Sequence, residues 1–238
     1  MDKQITALTI QTEDYKEHDK KALLFSAEEG MVTAVLKGVK KANAKLKFAT
    51  QPFCICSYEL VERNGYYTVT GATCIEDMFA LVRNTDKYIC ASAVMETVKT
   101  TSGAVSTAEL FVVMLKTLKA MAYTHINPYV ALAKYLQKVL SMTGFVKRDQ
   151  PFTGHVQTPS QFLGAISSRY LDELEYMTTP DDIVKSASII EIKKIEKLFD
   201  VKYNSLKFID VSEPIIEEEK DTGYDEESGY ESQIEYDE

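Results

Sequence analysis

A cluster of lysines is the part of this sequence best suited to chemistry, and that chemistry is the binding of a polyanion. Between Gly30 and Tyr58 the chain has five lysines, no arginine and no acidic residue, although its formal net charge is −9. The five are Lys37, Lys40, Lys41, Lys45 and Lys47. A local positive field in an acidic chain attracts phosphate groups. The same composition is compatible with a solvated, lysine-rich loop that keeps a sheet edge soluble.

Four further residues extend this candidate surface. They are Lys20, Lys21, Arg63 and Tyr66. Lysine lacks the bidentate fork of arginine, and the chain has 23 lysines and four arginines, so we expect phosphate contacts without base reading. Unpaired bases stack on aromatic rings, for which Tyr58, Tyr66 and Tyr67 are candidates. Tyr66 and Tyr67 are adjacent and point to opposite faces of a strand, so at most one of them stacks on a given face.

No motif for catalysis or metal binding accompanies the lysines. The chain lacks G-x-S-x-G, the phosphate loop G-x-x-x-x-G-K-[ST] and H-E-x-x-H. The carboxylates of Asp14, Glu17 and Asp19 lie among lysines, which favours a solvated loop over a metal site. The cysteines contain no C-x-x-C, so we interpret all four as reduced and structural; they are Cys54, Cys56, Cys74 and Cys90. We expect no enzyme activity, metal, cofactor or small-molecule substrate.

The elements that must position the lysines are predicted from the apolar pattern. Strands are expected at Gln4–Thr12, Lys20–Ser26, Met31–Leu36, Phe53–Arg63 and Tyr66–Thr70, with a polar turn over Glu13–Asp19. Gly38 permits a sharp turn into the lysines, and Asn64-Gly65 is a hairpin signal. Five short strands predict a small barrel, and the five-stranded OB-fold commonly binds nucleic acid.

After Ile75 the apolar period changes from that of a strand to that of a helix. Helices are expected over Asp86–Thr100, after the capping box Ser106–Glu109, from Asn127-Pro128 to Gly144, from Thr158-Pro159 to about Met177 and from Thr179-Pro180 to about Asp200. The predicted fold class is α+β, with a barrel domain over residues 1–80, an α-helical domain over 81–212 and a tail over 213–238.

The helical domain also carries lysines on its second and third predicted helices. They are Lys116, Lys119, Lys134 and Lys138. These lysines, with the apolar residues between them, are candidates for a groove that takes an acidic peptide with an apolar tip. Core packing with solvated lysines is the simpler interpretation.

The tail holds most of the acidity. Residues 213–238 contain twelve acids and one lysine, and the first 212 residues carry a net charge of +2. Few apolar residues and high charge predict disorder. We expect either a solubilising tail or a DNA mimic whose Tyr224, Tyr230 and Tyr236 imitate bases.

The chain has no apolar run long enough to span a membrane and no signal-peptide core, so we expect a cytoplasmic protein.

Several stretches resemble the bacterial RecO family of recombination mediators. They are DYKEHDK at 14–20, LFSAEEGMVTAVLKGVKK at 24–41, KLKFATQPF at 45–53, GYYTVTGATCIEDMF at 65–79 and, more weakly, LFDVKYNSLKFID at 198–210. The resemblance covers the first 80 residues almost continuously, and the helical region mainly in layout. It implies an N-terminal OB-fold followed by a helical domain.

The resemblance also implies a function in DNA repair and recombination. Family members are not enzymes; they bind single- and double-stranded DNA, anneal complementary strands, contact single-strand-binding protein and, with RecR, help RecA replace it. They act in the bacterial cytoplasm at the nucleoid. The family's basic surface would fall on the five lysines. Many members carry a cysteine zinc module in the helical domain, whereas no cysteine follows Cys90 here and 146–157 resembles a shortened remnant, so we expect no zinc.

Two alternatives stay open from the residues. Lysines that track a backbone do not identify the sugar, so an RNA-binding OB-fold protein fits the same pattern. An interaction adaptor, whose basic loop binds an acidic protein and which anneals no strands, fits it as well.

Overall fold

A computed structural model describes residues 2–145 and 149–209 of the chain. Within these ranges a closed five-stranded barrel is followed by five α-helices. The strands are β1 (Asp2–Tyr15), β2 (Asp19–Ser26), β3 (Gly30–Leu36), β4 (Cys54–Arg63) and β5 (Tyr66–Asp77). The helices are α1 (Thr85–Thr101), α2 (Thr107–Tyr123), α3 (Pro128–Thr143), α4 (Pro159–Ser167) and α5 (Asp181–Phe199). The predicted disordered tail, with its DNA-mimic hypothesis, lies outside the described residues, as do residues 146–148 of the predicted remnant.

The strand order of the barrel is β1-β2-β3-β5-β4, and β4 closes the barrel by pairing with β1. The pair β3–β5 is parallel, and the other four pairs are antiparallel. This is the five-stranded OB-fold barrel that the sequence predicts. The predicted α+β class, with the barrel first and the helices after it, is confirmed. The domain boundary predicted at residue 80 stays a prediction.

Two strands extend beyond their predicted ends. Strand β1 continues to Tyr15 because opposite charges face each other across the hairpin, with Glu13 opposite Lys21 and Asp14 opposite Lys20. The polar turn predicted over Glu13–Asp19 is therefore wrong at both ends and reduces to residues 16–18. Strand β5 continues past Gly71, where a Cβ atom would collide with the carboxylate of Glu59 on β4. The absence of a side chain at Gly71 makes room for the carboxylate of Glu59.

The helix starts follow their capping residues, and one helix end differs from its prediction. The side chains of Asn84, Ser106, Asn127 and Thr158 accept backbone N–H groups at the starts of α1 to α4. The prediction that α4 reaches Met177 is wrong, because the helix ends at Ser167. There Lys134 Nζ donates to the carbonyl oxygens of Ile166 and Ser167, at 2.8 and 3.0 Å. A separate 3₁₀ turn follows at Asp172–Leu174.

Two hydrophobic clusters hold the barrel and the helices together. One fills the barrel and contains Tyr58 and Leu60. The other joins the helices to the outer face of the barrel, where the ring of Phe25 on β2 lies 5.8 Å from that of Phe111 on α2. The barrel is therefore fixed against α2 by shared apolar packing. Among the described residues, no helix is both long enough and apolar enough to cross a membrane.

Candidate nucleic-acid interface

The five clustered lysines lie on one irregular segment after β3, residues 37–50, which we call the lysine loop. All five lysine side chains are exposed. The apolar residues between them face the barrel. Val39 and Ala49 are buried in the barrel interior, and Leu46 and Phe48 pack against it. The barrel thus anchors the loop through its apolar residues, and the charges face the solvent.

Buried hydrogen bonds fix the end of the lysine loop. The hydroxyl of Tyr58 donates to the carbonyl oxygen of Ala49 at 3.0 Å, and the hydroxyl of Thr9 donates to the same oxygen at 3.0 Å. The two hydroxyl oxygens are 2.7 Å apart. Tyr58 is inaccessible to solvent, so its candidacy as a stacking platform for bases is wrong. Its position on the inward-facing side of β4 places it in the core.

The start of the loop is held by the hairpin between β1 and β2. Gly38 adopts a left-handed φ of 65°, and its N–H donates to Asp19 Oδ1 at 2.8 Å. Lys40 Nζ lies 2.8 Å from Asp14 Oδ2, and this hydrogen bond and charge lower the pKa of the Asp14 carboxyl. Asp14 is largely exposed, as predicted, but it and Asp19 lie on the strands β1 and β2 and not in a loop, and both hold the start of the lysine loop. Lys40 is partly neutralised as a consequence.

The remaining four lysines of the loop keep their charges available. Over residues 2–145 and 149–209, none of the four forms an ion pair with a carboxylate within 4.0 Å. They are Lys37, Lys41, Lys45 and Lys47. Four exposed, unpaired ammonium groups on one anchored loop make a surface suited to successive phosphates of a flexible strand.

The additional candidates differ in pairing and exposure. Lys21 lies 3.4 Å from Glu13, whereas Lys20 is half-buried opposite Asp14 in the β1–β2 register and has no ion pair among the described residues. Arg63 and Tyr66 are exposed on the hairpin between β4 and β5. Tyr67 pairs with Ala34 on β3, three residues before Lys37, which puts the hairpin roughly 10 Å along the sheet from the lysine loop.

The two adjacent tyrosines have different surroundings, as their alternation on a strand predicts. Tyr66 is 74% exposed, whereas Tyr67 packs against the barrel interior. Tyr66 is therefore the only one of the three tyrosine candidates with a ring open to a stacking base.

A second basic region lies in the helical domain, around a cavity of about 730 Å³ that we call the helical cavity. It is bordered by α2, α3, α5 and the segments 149–151 and 167–171. Three of the four predicted groove lysines line it: Lys116, Lys134 and Lys138. Lys119 does not line the cavity, and it pairs with Glu76 at 2.5 Å. Arg169 lines the cavity as well, and no pattern in the sequence indicated it.

Charges around the helical cavity are mostly paired. Lys138 Nζ lies 2.7 Å from Glu109 Oε1, and Lys194 Nζ lies 2.6 Å from Glu191 Oε1. Glu191 is buried, and desolvation raises the pKa of its carboxyl to about 7. Lys116 and Arg169 are exposed, and neither has an ion pair in the described part of the chain.

The cavity wall also carries buried polar atoms that lack hydrogen-bond partners. Among the described residues, these include the hydroxyl of Tyr135 and Oε1 of Gln137. The amide nitrogen of Gln137 is satisfied, since it donates to Asp149 Oδ2 at 2.6 Å and to the Leu163 carbonyl oxygen at 2.9 Å. Sequence reasoning missed Glu191, yet its spacing from Ala187 and Ile195 places it on the buried face of α5.

Metal ligands form no cluster in the described ranges: no group of three or more histidine, cysteine or acidic side chains is arranged to hold an ion. The absence of zinc from the purified protein stays a prediction.

Comparison with known proteins finds similarity to the RecO family. Residues 1–78 match the family model described as "Recombination protein O N terminal". The chain is 35% identical over 89 residues to the DNA repair protein RecO of Clostridium novyi, and this match covers 35% of each chain. It is 26% identical over 141 residues to RecO of Thermoanaerobacter sp., which covers 59% of this chain and 57% of the relative.

These matches therefore span about a third to just over half of the two relatives. A longer match, 25% identical over 232 residues, joins 93% of this chain to 88% of the DNA repair protein RecO of Listeria innocua.

Proposed function

This chain belongs to the RecO family of DNA repair proteins, and from that premise we propose that it binds DNA without sequence specificity through the lysine loop. The observation that carries the proposal is the set of four exposed lysines without ion pairs on a loop anchored in an OB-fold barrel. Each ammonium group neutralises a phosphate and releases a counterion. Lysines do not read base edges bidentately, so the affinity depends on charge and length more than on sequence.

Contact through phosphates leaves base edges free, and this supports annealing as the activity. A strand held by its backbone still presents its bases to a complementary strand. Tyr66 supplies a stacking platform beside the loop for one unpaired base. We propose that the protein anneals complementary strands in this way and acts in recombination without catalysing a covalent reaction.

The helical cavity supports a second contact, with single-strand-binding protein. Lys116 and Arg169 offer unpaired positive charge at the cavity, and the apolar side chains of Val113, Leu140 and Leu171 line the same cavity. This combination suits an acidic peptide that ends in apolar residues. In the proposed role the protein thus meets strands coated by single-strand-binding protein and, with RecR, helps RecA to load on them in the bacterial cytoplasm.

The experiment that tests the proposal is annealing of complementary DNA strands coated with single-strand-binding protein. Wild-type protein should accelerate annealing, and Lys41→Ala/Lys45→Ala should slow it severalfold. The matched control is Lys193→Ala/Lys197→Ala, which removes two exposed lysines of α5 that have no ion pair in the described residues. Absence of annealing by wild type would favour an adaptor instead. Preferential competition by matched single-stranded RNA would favour the RNA-binding alternative.

A further inference from the structure

Three of the four cysteines converge at one end of the barrel. Cys54 Sγ lies 3.5 Å from Cys56 Sγ and 3.5 Å from Cys74 Sγ. Cys56 and Cys74 are direct partners across the β4–β5 pair. The extension of β5 beyond its predicted end is what brings Cys74 into this group, so the sequence pattern alone did not reveal it.

The three thiols differ in their access to solvent. Cys54 and Cys56 are buried, whereas Cys74 is exposed. An oxidant in solution therefore meets Cys74 first, with the thiol of Cys54 directly behind it. Cys90 is also buried, within the helical cluster, and has no thiol neighbour in the described part of the chain.

We propose that Cys54 and Cys74 form a reversible disulfide site, oxidised by a small disulfide or a peroxide. A disulfide joins sulfurs about 2 Å apart, so the two sulfurs must approach by roughly 1.5 Å. In the β4–β5 register Cys54 faces Asp77 and Cys74 faces Cys56, so the pair is diagonal and the bond also requires these ends of the two strands to move.

The exchange proceeds in two steps with a disulfide oxidant such as oxidised glutathione. The Cys74 thiolate attacks one sulfur of the oxidant, which forms a mixed disulfide and releases one glutathione thiolate. Cys54 then attacks Cys74 Sγ, which breaks the mixed disulfide and releases the second glutathione thiolate. The two protons lost by the cysteines go to the two released thiolates. The protein loses two electrons, and the oxidant gains them.

Cys56 contacts the thiol that carries out the second step, and this contact slows the attack by Cys54 because it favours the protonated thiol. The hydrogen bond between the two sulfurs raises the pKa of Cys54 and lowers that of Cys56. Desolvation raises the pKa of the Cys74 thiol to about 11. Since the thiolate is the attacking species, oxidation should accelerate about tenfold per pH unit between pH 7 and 9. A rate independent of pH would contradict entry through Cys74.

The site lies where the lysine loop rejoins the barrel. Cys54 is the first residue of β4, and it lies in the barrel interior with Ala49 of the lysine loop. The residue before it, Phe53, has a left-handed φ of 61°. A bond to β5 would pull this end of β4 and shift the segment that carries Lys45 and Lys47. This part of the inference rests on the proposed DNA-binding function, whereas disulfide formation does not.

Thiol mapping of the full-length protein tests the chemistry. Reduced protein is incubated with oxidised glutathione, alkylated with iodoacetamide, digested and analysed by mass spectrometry. We expect a peptide linking Cys54 to Cys74, the loss of two alkylatable thiols and their return with dithiothreitol. Cys56→Ser and Cys90→Ser should still form the bond, and Cys74→Ser should not. A link between Cys74 and Cys56, or unreacted Cys74 after oxidation at pH 9, would overturn the assignment.

Strand binding by the same samples tests the coupling. We expect oxidised wild-type protein to bind single-stranded DNA about threefold more weakly than reduced protein, a difference of under 1 kcal/mol. Cys74→Ser should bind equally before and after oxidant. Equal affinity of oxidised and reduced wild type would overturn the coupling. Absence of DNA binding in both redox states would instead contradict the proposed function and leave the disulfide site intact.

Discussion

The lysine loop and the helical cavity are both basic, but they hold their charges differently. On the loop, four lysines are exposed and unpaired in the described structure, and only Lys40 is tied to a carboxylate. Around the cavity, Lys138 and Lys194 are paired, and Glu191 is buried. Open point charges suit a long polyanion of any sequence, whereas an enclosed, paired set suits a ligand of defined shape.

The two regions also differ in their effect on the free energy of unfolding. Exposed lysines cost little, because water solvates them. A buried carboxylate costs free energy whenever it is charged, even beside a lysine. The cavity should therefore influence stability strongly, and the loop should influence DNA binding with little effect on stability.

The largest expected effect is the pH dependence caused by Glu191. Its pKa is raised from 4.5 to about 7, so the folded state binds a proton that the unfolded state releases between these pH values. This contribution is present at low pH and is lost as pH rises through 7. Between pH 5 and pH 8, wild type should lose about 2–3 kcal/mol relative to Glu191→Gln in urea unfolding. Glu62→Gln, at an exposed position, should follow wild type; parallel curves for wild type and Glu191→Gln would contradict the assignment.

A smaller effect is expected from the anchor of the lysine loop. Tyr58→Phe keeps the ring but removes the hydroxyl that donates to the Ala49 carbonyl and contacts Thr9. Unfolding free energy should fall by about 1–2 kcal/mol, because buried polar atoms lose a partner. The exposed control Tyr66→Phe should change it by less than about 0.5 kcal/mol. Equal stability of the two variants would mean that the hydroxyl does not anchor the loop.

The helical cavity and the lysine loop should bind different ligands, so a substitution in one should leave the ligand of the other unaffected. Arg169→Ala should weaken the binding of an acidic peptide with an apolar C-terminus by about fivefold, or about 1 kcal/mol, through loss of an unpaired cavity charge. The same variant should bind single-stranded DNA as wild type does. Fluorescence anisotropy with both probes measures this, and a parallel loss for both ligands would refute the separation.

The smallest effect distinguishes lysines within the loop. Lys41→Ala should reduce the log–log salt slope of single-strand binding by about 0.7, the value for one phosphate contact. Lys40→Ala should reduce it by less, because Asp14 already compensates its charge. Titrations at several salt concentrations compare the two variants. A larger change for Lys40→Ala would show that its ion pair opens on DNA.

The order of elements was predictable because local chemistry determines it. Alternation predicted the five strands, and the caps Asn127 and Thr158 marked helix starts. The end of α4 was not predictable, since it depends on Lys134 of another helix. The extension of β5 depends on how Gly71 meets Glu59, which is a contact between strands and not a local preference.

Composition located the lysine loop but not its organisation. The cluster of like charge was visible in the sequence, and the outward direction of Lys45 and Lys47 follows from their alternation with Leu46 and Phe48. The pairing of Lys40 with Asp14 joins residues 26 positions apart, which no local pattern encodes. The contact between Cys54 and Cys74 has the same origin.

The most direct test of the central claim is the salt dependence of single-strand binding by two matched double variants. Four full lysine contacts and a weaker one from Lys40 predict a wild-type log–log slope between roughly −2.8 and −3.5. Lys41→Ala/Lys45→Ala should make the slope shallower by about 1.4, whereas Lys193→Ala/Lys197→Ala should leave it unchanged. An unchanged slope for the loop variant, or an equal change for the α5 variant, would contradict the claim that the lysine loop carries the phosphate contacts.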